Sequence, residues 1–294
     1  LVFGHGLFQR LLLFCATLSL VVGVVHSFAI AVLARPVDHW CKPPPGMDAE
    51  STDIWKNHSL PVESDGTFSR CTRYVTFPET GNVTRNRTVM ACDQWDFDPK
   101  TQSIVSEWNL VCNRAWLLPF QRVTYFASSI VAALTGYMAD RFGRRPVLIA
   151  ALSVLIVSGT ATIFSHTLAM FTALRCLVSA SSITMLTLTT VVLFEMTETS
   201  HRIGYCIFAI SSTLVLTPLL MFLLLVLTSN WVVAQAALMV PTSILIVAVY
   251  AVDESPCWLL AARDLENTQR VALWAAYLNG VPLDGVRVKM RKIK

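Results

Sequence analysis

The chain has 294 residues, of which 54% are hydrophobic and only 14% are charged, and a mean hydropathy of +0.56 excludes an ordinary water-soluble domain. The net charge of +4 is modest, and the sequence predicts no nucleic-acid partner.

The fifty residues between Arg202 and Asp253 include no Asp, Glu, Lys or Arg. One helix of that length would be about 75 Å long, whereas the hydrocarbon core of a bilayer is about 30 Å thick. The polar break at 228–230 therefore predicts two membrane-spanning helices in a hairpin.

The first predicted span lies at 11–34, between Arg10 and Arg35. Its 24 uncharged residues and the lack of an A-x-A cleavage pattern favour a transmembrane helix over a signal peptide. The other predicted spans lie at 119–139, 147–165, 168–194, 203–227 and 231–251. Six crossings place both ends of the chain on the same side of the membrane. Because the chain begins with Leu1 and stops within a basic stretch, we expect it to be a piece of a longer protein.

The polar segment 35–118, between the first two spans, carries four cysteines and three N-x-[ST] sequons. These cysteines lack the close spacing of a zinc site, so we expect no metal but disulfides, for which three connectivities are possible. Cysteine pairs and sequons in one segment indicate an oxidising, glycosylating compartment, so the segment is predicted to be extracellular. The candidates are the cysteines Cys41, Cys71, Cys92 and Cys112 and the asparagines Asn57, Asn82 and Asn86.

The distribution of arginines predicts the same orientation. Arg141, Arg144 and Arg145 follow the second span and Arg202 follows the fourth, whereas the short loops on the opposite face carry no Lys or Arg. The positive-inside rule therefore puts the basic loops, and both ends of the chain, in the cytoplasm. The predicted organisation is a cytoplasmic start and first span at 1–34, an extracellular glycosylated loop at 35–118, spans two to six at 119–251 and a cytoplasmic segment at 252–294.

The cytoplasmic segment is predicted to contain an amphipathic helix. Glu266 and Arg270 have the spacing of an i, i+4 ion pair, and Val271, Trp274 and Leu278 share one face. The basic tail that follows suits either an anionic membrane surface or a solvated linker.

The most specific motif is GYMADRFGRR at 136–145, directly after the second span. Gly136 permits a close approach of helices and Gly143 a tight turn, while Asp140 lies among arginines that can hold neighbouring helix ends together. The arginines also set the topology. This string resembles the signature loop of the major facilitator superfamily.

A second group of motifs narrows the resemblance. The segments PVDHWC at 36–41, CDQWDFD at 92–98, TQSIVSEWNLVC at 101–112 and DESPCWL at 253–259 are similar to those of the organic cation, anion and carnitine transporters, a solute carrier family. The resemblance implies an all-α, six-helix amino-terminal bundle with a disulfide-bonded extracellular loop. It also implies a plasma-membrane transporter of small organic ions without a cofactor, whose partners are the lipid bilayer and a second six-helix half.

Three departures from that family concern single positions. The family usually has six cysteines in the large loop, and here there are four. Ser179 replaces a glycine that often follows the arginine of the fourth span, and Cys257 replaces an arginine in the motif after the sixth. The positions that separate cations from anions lie largely in the half that this chain does not contain, so the substrate's charge stays open.

Polar residues within the spans are candidates for lining a substrate cavity. Arg175 is expected to face the bundle or a cavity, because a lipid-facing charge is costly, and it serves either a helix contact or substrate passage. His26 corresponds to a cavity position of the family, with Ser27 beside it, although a histidine satisfied by a neighbouring helix is an equal alternative. Ser211 and Ser212 resemble cavity positions more weakly.

The resemblance also implies a network of ion pairs at the cytoplasmic face. Glu195, Arg202 and Glu254 are expected to meet Arg144 and Arg145 and to close the inner side of the transporter, since alternating access needs a breakable contact. The alternative is a set of exposed pairs worth about 0–1 kcal/mol each.

Two other functions compete with organic-ion transport by alternating access. The chain could be an inactive truncated transporter, since six helices supply only one wall of the cavity, or a glycosylated scaffold or receptor. Because the sequence lacks a Walker loop, zinc-ligand spacing and a G-x-S-x-G motif, it predicts no enzyme.

Overall fold

The computed structural model describes residues 5–43, 49–64, 66–74, 88–128 and 130–283, without the side chains at 49–52, 132 and 251. The sequons at Asn82 and Asn86 and the basic tail lie outside the described residues. The chain divides into two compact units, which we call the helical bundle (Leu1–Leu33, Gln121–Thr228 and Val232–Lys294) and the polar lobe (Ala34–Phe120 with Ser229–Trp231).

The structure is predominantly helical. In chain order the helices are α1 (Leu7–Phe28), α2 (Ile30–Leu33), α3 (Ala49–Ser59), α4 (Ile104–Glu107), α5 (Leu117–Ser128), α6 (Val131–Phe142), α7 (Arg144–Ala161), α8 (Leu168–Glu195), α9 (Arg202–Leu227), α10 (Trp231–Ala251), α11 (Pro256–Ala261) and α12 (Leu265–Leu278). The strands are β1 (His39–Cys41), β2 (Thr72–Tyr74), β3 (Val89–Ala91) and β4 (Trp95–Phe97).

Six helical segments are long and apolar enough to cross a membrane, which confirms the predicted number of spans. The first, Leu7–Leu33, begins four residues before the predicted start and includes Arg10. The second candidate span, Cys112–Phe142, consists of a 3-10 turn followed by α5 and α6 on either side of residue 129, which is not among the described residues. The remaining candidate spans are Arg144–Phe164, Leu168–Glu195, Arg202–Leu227 and Trp231–Tyr250.

Helix α8 lies in contact with α1, α6, α7 and α9. With 28 residues it is about 42 Å long, and small hydroxyl side chains such as Ser182 are buried along it. Small residues permit close helix packing in lipid, where apolar side chains gain nothing by leaving the hydrocarbon. Hydrogen bonds cross these contacts, from Ser19 to Thr189 at 3.0 Å and from Thr135 to Thr184 at 2.9 Å.

Close helix approach occurs at other glycines than the sequence predicted. A Cβ built at Gly23 would lie 2.9 Å from Leu186 Cγ, and one at Gly159 would lie 2.7 Å from Met239 Sδ. At Gly136 a Cβ would meet no described atom within 4 Å. Among the described residues, therefore, none backs onto α6 at Gly136, and the expected close approach is not seen there.

The polar lobe contains two small antiparallel sheets, β1 with β4 and β2 with β3. Each sheet lies beside a disulfide, Cys41–Cys92 with a Cα–Cα distance of 5.7 Å and Cys71–Cys112 with 5.6 Å. The expected disulfides are present, and the structure selects this connectivity from the three possibilities. His39 lies near Cys71 and Cys112, but their shared bond leaves no thiolate there for a metal.

Helix α12 differs in detail from the predicted amphipathic helix. Arg270 lies 3.9 Å from Asp253 Oδ1 and forms no ion pair with Glu266 among the described residues. The buried face contains Val271 but not Trp274, whose side chain is 48% exposed and stacks on a neighbouring tyrosine. Ala272, Ala275 and Ala276, which are small enough for close packing, complete the buried face together with Thr268.

Candidate functional site

The GYMADRFGRR motif contains the turn between α6 and α7, and its charged and backbone groups meet acidic side chains from two other places in the chain. We call Asp140, Arg144, Glu195 and Glu254 the Arg144 cluster. Arg144 Nη2 lies 3.1 Å from Asp140 Oδ1 and 3.1 Å from Glu195 Oε1. Its Nη1 also donates to the backbone oxygen of Ala139 at 3.2 Å. One guanidinium therefore joins the end of α6 to the end of α8.

Glu254 holds the first turn of α7. Its Oε1 accepts the backbone N–H of Arg144 at 2.9 Å, and its Oε2 accepts that of Arg145 at 3.0 Å. The first N–H groups of a helix have no partner within the helix and carry partial positive charge, so a carboxylate there is well placed. The loop after α10 is thereby fixed to the start of α7.

Gly143 makes this arrangement possible. Its φ of 104° lies in a region that residues with a side chain rarely adopt. A Cβ at this position would also lie 2.5 Å from Glu254 Oε2. The turn predicted from sequence at Gly143 therefore also gives the carboxylate room to reach the helix.

The two ion pairs of Arg144 differ in solvent exposure. The side chains of Arg144 and Glu195 are 13% and 18% exposed, whereas that of Asp140 is 75% exposed. Exposed pairs are worth about 0–1 kcal/mol, but removing one member of a buried pair costs about 3–5 kcal/mol. The contact between Arg144 and Glu195 is therefore the stronger of the two.

Cys257 lies beside this pair on α11. Its Sγ is 3.6 Å from the backbone oxygen of Glu195, and Glu195 Oε2 is buried without a hydrogen-bond partner among the described residues. Burial raises the pKa of the Cys257 thiol, and the charge of Glu195 raises it further. The neighbouring Trp258, which was not predicted, donates from Nε1 to the backbone oxygen of Asp140 at 2.8 Å. The sequence feature that could have indicated a role for Trp258 is its position in the DESPCWL motif.

The side chains of two arginines of the predicted network, Arg202 and Arg145, have other partners. Arg202 donates from Nε and Nη2 to the backbone oxygen of Thr197 at 3.3 and 3.2 Å and stacks over Phe194 at 4.2 Å. Arg145 Nη2 donates to the backbone oxygen of Tyr250 at 3.0 Å. Arg141 is exposed and forms no ion pair with any described residue.

The intramembrane candidates His26 and Arg175 lie together. His26 is fully buried, and its Nε2 is 2.8 Å from Thr242 Oγ1 on α10. Arg175 is 3% exposed and donates from Nη2 to the backbone oxygen of His26 at 3.0 Å. Its guanidinium also lies 4.8 Å from the ring centre of Tyr125. These contacts join α1 to α5, α8 and α10.

The serine candidates have different surroundings. Ser27 is half-buried, and its Oγ donates to the backbone oxygen of Gly23 at 3.0 Å. On α9, Ser211 is exposed and Ser212 is half-buried, while the buried face of that helix contains Tyr205, Ala209, Thr213 and Thr217. Neither α9 serine forms a hydrogen bond with His26 or Arg175 among the bonds of the described residues.

This fold is that of a major facilitator superfamily transporter. A partially occluded, inward-open structure of the xylose transporter XylE from E. coli matches 95% of the chain with a TM-score of 0.54 at 15% identity, and the chain covers 57% of it. The proton:xylose symporter XylE bound to 6-bromo-6-deoxy-D-glucose matches 96% of the chain with a TM-score of 0.55 at 16% identity, and the chain covers 52% of it. Residues 93–294 match the family described as Sugar (and other) transporter, and the chain belongs to that family.

The curated relatives confirm the resemblance drawn from the motifs. Solute carrier family 22 member 4 and organic cation/carnitine transporter 2, both of Mus musculus, are each 28% identical over 94% of the chain and 53% and 52% of their own lengths. Organic anion transporter 3 of Pongo abelii is 30% identical over 90% of the chain and 48% of its own length. The chain spans about half the length of these relatives. The names of the last two describe transporters.

Proposed function

We propose that this chain forms the amino-terminal half of a plasma-membrane transporter that moves small organic ions by alternating access. The relatives are named for organic cations, carnitine and organic anions, and the substrate classes considered are taken from them. In such transporters the substrate site lies between two halves that rock against each other. The partners are then the organic ion, the lipid bilayer and a second six-helix half.

The observation that carries the proposal is the Arg144 cluster. A transporter that changes shape needs contacts that hold one arrangement and can be broken in the next. Arg144 joins α6 to α8, and Glu254 fixes the loop after α10 to the start of α7. A scaffold or receptor has no need of such a cluster at the helix ends.

Replacing single charges in a full-length transporter that contains this chain tests the proposal. We expect Arg144→Ala and Glu195→Ala to lower initial uptake of a labelled organic ion about tenfold or more, because each breaks a buried pair. Asp140→Ala is expected to lower uptake less, since its carboxylate is mostly exposed. Arg141→Ala is the matched control, since it removes an exposed guanidinium four positions before Arg145 and breaks no ion pair.

Surface biotinylation separates slower turnover from poor folding. The proposal requires the variants to reach the cell surface in amounts similar to the unaltered protein. Normal uptake by Arg144→Ala and Glu195→Ala at equal surface amounts would exclude the cluster as a working part of the transport cycle.

A further inference from the structure

Two arginines in the membrane-spanning part of the helical bundle line the same small cavity. Arg175 projects from α8 and is 3% exposed, and Arg122 on α5 is exposed. The cavity has a volume of about 20 Å³ and is also lined by Ser27, Gln121 and Tyr125. None of the described residues that line it is acidic.

Several polar atoms at this cavity lack hydrogen bonds. Arg175 uses Nη2 for the backbone oxygen of His26, but its Nε and Nη1 are buried without a partner among the described residues. The hydroxyl of Tyr125 is likewise buried and unpartnered. Buried polar groups in native proteins are nearly always hydrogen-bonded, so these donors indicate a ligand with acceptor atoms.

Counter-charges within the described bundle are far away. Glu195 lies at the opposite end of α8, twenty residues from Arg175, which is about 30 Å along a helix. Asp140 lies near the end of α6, eighteen positions after Arg122 in the sequence. Neither arginine forms an ion pair with a described residue. Unpaired charge at membrane depth is costly, and it marks sites of ion or substrate passage.

We propose that this cavity binds a monovalent anion, either the ionised carboxylate of a transported organic anion or zwitterion or a halide ion. Guanidinium N–H groups and a phenol hydroxyl donate to such an anion, and charge-assisted bonds of this kind are short and strong. A volume of about 20 Å³ holds about one water-sized group, far less than the roughly 300–1,000 Å³ of typical whole-ligand pockets, so the cavity takes a halide ion or the charged head group alone. The carboxylate alternative rests on the proposed transport function, whereas a halide site does not.

Equilibrium binding to the purified full chain in detergent tests the cavity without requiring transport. Radioactive chloride is the first probe, measured by scintillation proximity, and unlabelled benzoate is the competitor. We expect saturable chloride binding. Displacement by benzoate identifies a carboxylate subsite, and retention of chloride at saturating benzoate identifies a halide site.

Three substitutions connect the binding to the cavity. Arg175→Gln is expected to abolish binding, Arg122→Gln to weaken it about tenfold, and Tyr125→Phe to weaken it several-fold by removing one hydroxyl. Arg10→Gln, the same change on an exposed side chain distant in sequence from the cavity residues, is the control and should bind normally. Should Arg175→Gln fail to give a monodisperse protein, the other two variants decide the question.

Absence of saturable chloride binding would overturn the proposal. So would unchanged affinity in both Arg122→Gln and Tyr125→Phe. A chain that binds the anion while the full-length protein shows no uptake would contradict the transport function and leave the site intact.

Discussion

Cys257 stands where the resembling transporters carry an arginine, and Glu195 beside it keeps one carboxylate oxygen buried and unpartnered among the described residues. An arginine would supply a guanidinium to that oxygen. The cysteine instead places a weak donor against the backbone of Glu195. The Arg144 cluster in this chain therefore has one cation fewer than the family pattern provides, so Glu195 depends more heavily on Arg144.

The reactivity of Cys257 reports on this arrangement. Burial and then the charge of Glu195 raise the pKa of the thiol above its ordinary value, so little thiolate is present at neutral pH. We expect alkylation by iodoacetamide to be slow at pH 7 and to accelerate only in alkaline solution. Glu195→Gln removes the second cause, lowers the pKa and should speed alkylation at pH 7 by about twofold or more.

The Cys257→Ser variant shows how much of the measured alkylation occurs at Cys257. The other free cysteines, Cys15, Cys176 and Cys206, lie within the predicted spans. An alkylation rate at pH 7 that is the same with and without the Glu195 charge would show that the carboxylate does not act on the thiol.

Sequence reasoning at this scale succeeded where chemistry is local. The turn at Gly143 follows from a motif a few residues long. Glu254 was expected to meet the charges of Arg144 and Arg145, and its hydrogen bonds to their backbone N–H groups were not predicted. The direction of Arg202 could not be predicted, because the carbonyl of Thr197 and the ring of Phe194 compete successfully with the cluster. The hydrogen-bond partner of His26 could not be predicted either, because Thr242 is 216 positions away in the sequence.

At the scale of helices, hydropathy gives the number of spans but not which faces touch. Long apolar stretches with few charges locate all six candidate spans, because the thickness of the bilayer fixes their length. The contact faces depend on small residues and polar pairs, which carry little periodic signal in a uniformly apolar helix. Gly136 was consequently taken for a packing glycine, while Gly23 and Gly159 were not recognised.

A pair of substitutions distinguishes these glycines. Gly23→Leu places a side chain against Leu186 and within 3.3 Å of the Ser182 backbone oxygen, so it should lower the free energy of unfolding by about 1–3 kcal/mol. Gly136→Leu extends into open space and improves helix propensity, so it should leave stability unchanged or raise it by up to about 1 kcal/mol. Thermal unfolding of the purified chain measures both.

Equal melting temperatures for the two variants would contradict the packing of α1 on α8. A loss of stability confined to Gly136→Leu would show that a helix backs onto α6 at that position.

At the scale of the whole chain, the polar lobe and the helical bundle are stabilised by different means. The lobe has short strands and two disulfides, which limit the unfolded chain where little apolar surface is buried. The bundle depends on apolar helices, inter-helical hydrogen bonds and the charges at the helix ends. Sequence composition separated the two regions readily, but the cysteine connectivity required coordinates, since the spacings are compatible with every pairing.

The orientation of the two regions across the membrane is the last prediction, and it follows from charge and glycosylation together. The polar lobe should face the outside and the Arg144 cluster the cytoplasm. Asn57 is exposed on α3 and accessible to the glycosylation machinery. Endoglycosidase should therefore increase the mobility of the unaltered protein, and Asn57→Gln combined with Asn82→Gln and Asn86→Gln should abolish that shift. An epitope inserted after Asn82 should bind antibody on intact cells, whereas one appended after Lys294 should require permeabilisation. The reverse pattern would place the arginines outside the cell, contrary to the positive-inside rule. It would also contradict the proposed cytoplasmic position of the Arg144 cluster.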